Sequence, residues 1–225
     1  MDWGIIFSNA LAAMVGLETV VFALAAIGLN VHFGYTGLLN FGQAGFLAVA
    51  GYGLAVTVTT LDLPTLVGVA VGLAGAVVLA LLLGAPTLRL RADYLAIVTI
   101  AAAEIVRLLF RSVSLSEYTG GSDGLGQFSE GFYSINPLSD GRYGLGPLDF
   151  NERQTWVLSV GWVLVGLSCL LVFLLMRSPW GRVLKAIRED EDAVRSLGKN
   201  VYFYKLQSLV PVSYTHLTLP TKRIV

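Results

Sequence analysis

The sequence predicts an all-α fold, a polytopic bundle of transmembrane helices with about five spanning segments. Three observations predict it. Hydrophobic residues make up 55% of the 225-residue chain and charged residues only 13%, about half the charged share of an ordinary soluble domain. The apolar residues are gathered into runs near the length that crosses a bilayer. The polar residues are gathered in turn into two long segments, 111–154 and 177–205, separated by one such run.

Residues 4–31 form the first apolar run and hold one charge, Glu18. A Gly-rich break follows, HFGYTGLLNFGQAGF, and the apolar pattern then resumes through Thr60. LDLP is a short connection, and Pro64 suits the first turn of a helix. Residues 65–84 are a clean span of Val, Leu, Ala and Gly, and APTLRLRAD is a polar joint. Residues 94–110 form a shorter span that carries Glu104 and Arg107. The segment 111–154 is rich in Gly, Ser, Asp and Tyr. Residues 155–176 span again without a single charge, residues 177–205 are polar, and YFYKLQSLV begins what looks like a further span.

Cytoplasmic loops retain Lys and Arg. Segment 177–205 carries Arg177, Arg182, Lys185, Arg188, Arg195, Lys199 and Lys205, whereas 111–154 holds Arg111, Arg142 and Arg153 against six carboxylates. The first is therefore expected inside and the second outside. Counting back puts Arg89 and Arg91 inside, LDLP outside, the HFGYTG joint inside and Met1 outside. The formal net charge is zero, which argues against a nucleic-acid partner. The single cysteine, Cys169, lies in an apolar run and reads as a small buried hydrophobe. It and the two histidines are too scattered for metal-ligand spacing. The N-terminal MDWGIIFSNA has no Lys or Arg ahead of the apolar stretch and no obvious cleavage site, so it does not read as a signal peptide.

Backbone leaves helical pairing at membrane depth only where protein buries it or water reaches it. The Gly-rich break, with Asn40 and Gln43, is either a discontinuous helix lining a pathway or a turn followed by close Gly-mediated packing. Glu104 and Arg107, three residues apart, share a helix face. From Arg91 to Glu104 is roughly 20 Å along a helix, past the membrane midplane, and an intramembrane carboxylate is a functional-site candidate. The alternative is a structural pair holding two helices together, and Glu18 reads as structural or as a subunit contact. In GRVLKAIREDEDAVRSLGKN, residues 181–200, Val183, Ile187, Val194 and Leu197 make one apolar stripe, with Gly198 placed to stop the helix. The segment is expected to be one amphipathic cytoplasmic helix. Its consecutive acids, Glu189, Asp190, Glu191 and Asp192, oppose adsorption to a membrane surface. A solvated loop and a helix docked in a partner's groove remain.

SPWGRVLKAIREDEDAVRSLGKN resembles the cytoplasmic coupling segment in permease subunits of ABC importers for branched-chain amino acids. Glu191, Ala193 and Gly198 loosely match the wider importer pattern, and Asp192 stands where some relatives have a small or apolar residue. Three more stretches resemble the family in the right order: LNVHFGYTGLLNFGQAGF, PTLRLRADYLAIVTIAAAEIVRLL and TGGSDGL. The resemblance implies that residues 1–210 are an ABC importer permease domain in a bacterial cytoplasmic membrane. It implies as partners a second permease subunit, two cytoplasmic ATPase subunits and an extracytoplasmic binding protein. The cargo would be leucine, isoleucine, valine or related amino acids and small amides. Gly181, Arg182, Ala186, Arg188, Glu191, Ala193 and Gly198 would belong to the ATPase-coupling segment. Asn40, Gln43 and Glu104 would line the translocation pathway. Gly120, Gly121, Ser122, Asp123 and Gly124 would lie in the outer loop where a binding protein delivers its load, or form a Gly-rich turn. No cofactor would be bound directly, ATP residing on the partner subunits, and no residue would do covalent chemistry. PVSYTHLTLPTKRIV departs from the family and resembles translated adaptor sequence, so residues 211–225 are expected to be a non-native tail replacing two or three further helices. A rival from another class is an ion-coupled secondary transporter working alone through Glu18 and Glu104. A membrane scaffold without transport fits poorly with Asn40 and Gln43 in a Gly-rich break.

Overall fold

The first apolar run is two helices rather than the single helix its composition suggests. In the computed structural model, which describes residues 3–88, 92–121, 123–126, 128–139, 141–145 and 148–214, α1 (Trp3–Val15) and α2 (Leu17–Asn30) are separated by Gly16 in an extended conformation, φ −64° and ψ 171°. Such a break strands carbonyls at the end of α1. Thr19 Oγ1 donates to the Ala13 carbonyl at 2.7 Å and the Trp162 indole N–H to that of Val15 at 3.1 Å. Helix α2 then widens into a π-helical turn, Val31–Thr36, which ends at Gly37 in the left-handed region, φ 71°. The chain stays out of regular helix until α3 (Gln43–Thr59). The Gly-rich break is therefore real, and it costs α3 the length of a full span.

Helix α4 (Thr65–Thr87) follows Pro64, which stands at its N-cap, and α5 is Ala92–Phe110. Small residues set how closely these helices approach, as is usual in membranes. A Cβ on Gly53 of α3 would fall 2.9 Å from the Cα of Gly72 of α4, and Ala50, Ala76 and Ala80 are fully buried. A Cβ on Gly45 would fall 3.1 Å from the Cα of Ala103, which sets α5 against the start of α3. Among the described residues, three segments are long and apolar enough to cross a membrane: Leu17–Thr36, Thr65–Thr87 and Glu152–Arg177. The other two expected spans are α3, with 17 residues, and α5, whose apolar run is interrupted by Asp93, Glu104 and Arg107.

The polar segment 111–154 comprises a 3₁₀ turn (Val113–Leu115), two one-turn helices, α6 (Ser116–Thr119) and α7 (Glu130–Tyr133), and a hairpin of β1 (Arg142–Leu145) with β2 (Leu148–Asn151). The antiparallel register sets Tyr143 opposite Phe150, and an Arg142–Asp149 ion pair at 2.9 Å closes it. Among the described residues this hairpin is the departure from the all-α expectation. Helix α8 (Glu152–Arg177) starts on a capping box of Asn151 and Gln154, and packs along α2 through Val20, Leu24, Leu158 and Val165. At the opposite end lie α9 (Pro179–Glu189), α10 (Glu191–Ser196) and α11 (Val201–Tyr214). Helix α11 continues across Pro211 to Tyr214, and the remainder of the expected tail, residues 215–225, lies outside the described residues, as do Arg89, Arg91 and Met1. The two polar segments sit at opposite ends of the bundle. Phe128 and Leu125 pack on Leu54, Ala55 and Val58 near the end of α3, whereas α9 and α11 pack on the π turn before its start.

Candidate functional site

The segment 178–198 is a helix, a kink and a second helix, which corrects the expectation of one continuous helix. Ser178 caps α9 by accepting from the Gly181 N–H at 3.4 Å, and Pro179 fills the first turn where no donor is needed. Gly181 lies so close to the end of α8 that a Cβ would meet the Met176 Cα at 2.5 Å and the Leu175 carbonyl at 2.6 Å. Asp190, in an extended conformation, stops α9 and caps α10, its carboxylate accepting from the N–H groups of Asp192 and Ala193 at 3.0 Å each. The kink rotates the apolar stripe. Leu184, Ile187 and Val194 are buried with Val31, Val172, Met176 and Val201. Val183 is only partly buried, and Leu197, expected in the stripe, is 78% exposed.

Charged side chains fasten this segment at three points. Glu191 accepts from Arg195 at 2.6 Å and from Lys205 of α11 at 2.5 Å. Arg188 donates to the Gly34 carbonyl inside the π turn and pairs with Glu189. Lys185 stands over the Tyr35 ring, 5.5 Å from its centroid. Gly37 also lies under Arg188, where a Cβ would come 2.9 Å from its Cγ. The Trp180 indole bonds Gln207 of α11 at 3.0 Å. Gly198, φ 74°, ends α10 with its N–H on the Arg195 carbonyl at 2.9 Å. Arg182, Ala186 and Ala193 point away from the bundle and are exposed. The α9–α10 segment and the Gly-rich break, read separately in the sequence, are thus one packed unit.

Within the break, Asn40 is 1% exposed and its side chain is committed on both sides. Its Oδ1 accepts from the Gly42 N–H at 2.9 Å, which orients the amide, and its Nδ2 lies 3.4 Å from His32 Nδ1. An amide nitrogen only donates, so His32 accepts at Nδ1, carries its proton on Nε2 and donates to the Ser208 carbonyl at 3.3 Å. The Phe41 N–H donates to Thr99 Oγ1 of α5 at 3.1 Å. Gln43 opens α3, and its Nε2 is buried without a hydrogen-bond partner. Glu104 and Arg107 pair within α5 rather than between helices, through Nε to Oε2 at 2.9 Å and an NH2 to Oε1 at 2.6 Å. Glu18 is exposed on α2.

The second Gly-rich stretch, after Thr119, is a compact turn. Gly120, Gly121 and Gly124 all have positive φ, and a Cβ on Gly120 would meet the Gly124 carbonyl at 2.2 Å. Thr119 closes it, donating to the Phe110 carbonyl at 2.8 Å and accepting from the Gly121 N–H at 3.3 Å. Asp123 is exposed, and Ser122 lies outside the described residues. His32, Asp190, Leu184 and Ser208 were not singled out from the sequence. Only Asp190 carried a local signal, as an acidic cap followed by two acids in the first turn of α10.

Residues 11–214 match the family described as branched-chain amino acid transport system / permease component. The high-affinity branched-chain amino acid transport system permease protein LivM of Salmonella typhimurium is 36% identical over 198 residues, 80% of this chain and 44% of that protein. That of Escherichia coli K12 is 35% identical over the same shares. The probable branched-chain amino acid transport permease protein LivM of Methanocaldococcus jannaschii is 26% identical over 88% of this chain and 63% of its own length. The chain therefore spans about 44% of the length of the first two relatives. No solved structure matches.

Proposed function

Because the chain belongs to the family of branched-chain amino acid transport permease components, we propose that it is a membrane-spanning subunit of an ATP-driven importer. The importer carries branched-chain or related small amino acids, or small amides, across a bacterial cytoplasmic membrane. Its other parts are a second permease subunit, two cytoplasmic ATPase subunits that bind the ATP, and an extracytoplasmic binding protein. The observation that carries this reading is the construction of α9 and α10. The pair is fastened to α2, α8 and α11 by one buried cluster and turns exposed Arg182, Ala186, Ala193 and Leu197 outward. Such a segment suits an element that is gripped by a partner and must transmit force without deforming. Gly181, Arg188, Glu191 and Gly198 give it shape, while Arg182, Ala186 and Ala193 offer the contact face. Asn40 and Gln43 sit where the break meets α5 and, with Glu104, border the pathway. The turn with Gly120, Gly121, Ser122, Asp123 and Gly124 faces the binding protein.

Leu197→Asp tests the contact face, because Leu197 is 78% exposed and its replacement disturbs no internal packing. The variant is expected to reach the membrane at the normal level and to lose at least tenfold of the ATPase subunits recovered with it. Undiminished ATPase recovery together with unchanged leucine uptake would refute the docking assignment.

A further inference from the structure

Helix α5 shows two unlike faces. Leu95 and Thr99 are each 3% exposed against the bundle, while Ile97, Ile100, Ala101, Glu104, Arg107 and Leu108 are exposed on the other side. The side chains of Arg107 and Glu104 are 46% and 52% exposed. Glu104 lies about 18 Å along α5 from Ala92 at 1.5 Å per residue. It is next to Ala103, which touches Gly45 in the first turn of α3. The ion pair therefore stands level with the end of the Gly-rich break, on the outward face of α5. Charges at such a level along a spanning helix face protein or water rather than hydrocarbon.

We propose that Glu104 and Arg107 form a transit site for the zwitterionic head of an aliphatic amino acid. The proposal rests on the amino-acid transport reading above. The fork between them uses one edge of the guanidinium and one lone pair on each carboxylate oxygen. A guanidinium has five N–H donors and a carboxylate about four acceptor positions. Arg107 thus keeps donors for a ligand carboxylate, and Glu104 keeps acceptors for a ligand ammonium, without the pair coming apart. The pair is neutral as a whole and so is the ligand, so no net charge enters the membrane when they meet. A lone cation or anion would leave one charge uncompensated at low dielectric. Ile97, Ile100 and Leu108, 64%, 53% and 55% exposed, flank the pair on the same face and suit a branched aliphatic side chain.

The test uses the assembled importer in proteoliposomes with labelled leucine. Glu104→Gln/Arg107→Gln should assemble at the wild-type level, because it removes two charges rather than one, and should lower uptake at least tenfold. A pair that serves only to neutralise itself becomes dispensable once both charges are gone, so wild-type uptake by this double variant overturns the site. If the double variant does not assemble, Arg107→Lys decides. It keeps the charge but removes the fork, and reduced uptake is expected, whereas wild-type uptake overturns the site. Failure of the unaltered importer to take up leucine, any related small amino acid or a small amide would sink the transport reading itself, which separates the two failures.

Discussion

Gly181→Ala tests the contact between α8 and α9 that positions α9 and α10. On an exposed helix this change stabilises by up to about 1 kcal/mol, because glycine is the poorer helix former. At Gly181 the new methyl would lie 2.5 Å from the Met176 Cα, 2.6 Å from the Leu175 carbonyl oxygen and 2.7 Å from the Met176 carbonyl carbon. Ordinary contact begins about 1 Å farther out, and all three atoms are backbone, so no side chain can turn aside. Helix α9 must therefore lift away from α8, loosening Leu184 and Ile187 from Val172 and Met176. Forced overpacking costs about 1–3 kcal/mol, which outweighs the propensity gain. The assay is the thermal midpoint of the purified protein, followed by size-exclusion recovery. Gly166→Ala in α8 is the control, since among the described residues nothing beyond its own stretch of helix backbone lies within 4 Å of its Cβ position. Gly181→Ala is expected to melt well below both the wild type and the control, and a midpoint equal to the control would refute the close-approach argument.

Asn40→Ala removes the acceptor for the Gly42 N–H and the donor to His32, so stability should fall by about 1–3 kcal/mol in a melting assay; an unchanged midpoint would assign Asn40 to a role outside the packing of the break. Glu191→Gln deprives Lys205, 13% exposed, of its ion pair and should cost about 1–2 kcal/mol after discounting for partial solvation; no loss would show that the buried cluster alone seats α10. Asp190→Ala deletes the cap of α10 and should cost about 1 kcal/mol, with Asp190→Asn recovering most of it. In a background carrying Cys169→Ala, Ile135→Cys, 68% exposed as Ile, should react with an impermeant maleimide in intact cells; labelling only after lysis would invert the orientation.

Much of this architecture was legible because the bilayer simplifies the code. Apolar runs of sufficient length, separated by polar segments, mark the spans without any tertiary knowledge. The helix stop at Gly198 and the break between Phe33 and Phe46 were visible for the same kind of reason. Glycine and amide side chains there contradict an otherwise continuous pattern. The kink at Gly16 was not legible, since single glycines sit unnoticed inside several other helices of this chain, including Gly166 in α8. What decides at Gly16 is remote: Trp162, nearly 150 residues later, supplies the donor that satisfies the freed Val15 carbonyl.

The α9–α10 segment shows why helical periodicity alone misplaced a face. A stripe of Val183, Ile187, Val194 and Leu197 is a fair projection if one axis runs through all of them. Asp190 interrupts that axis, because its side chain satisfies the first N–H groups of α10 better than continued helix would. Once the axis bends, Leu184 replaces Val183 in the core and Leu197 swings outward. The relation between this segment and the break was hidden for a different reason. It depends on Gly37, whose positive φ and missing Cβ let Arg188 lie flat on the turn and reach the Gly34 carbonyl. Gly37 and Arg188 are 151 residues apart, and neither residue advertises the other. A methyl group at Gly37 would be strained in its own backbone and would push Arg188 off the π turn. The two elements would then keep their helices and lose the Arg188 contact, so this glycine helps to link α9 to the π turn.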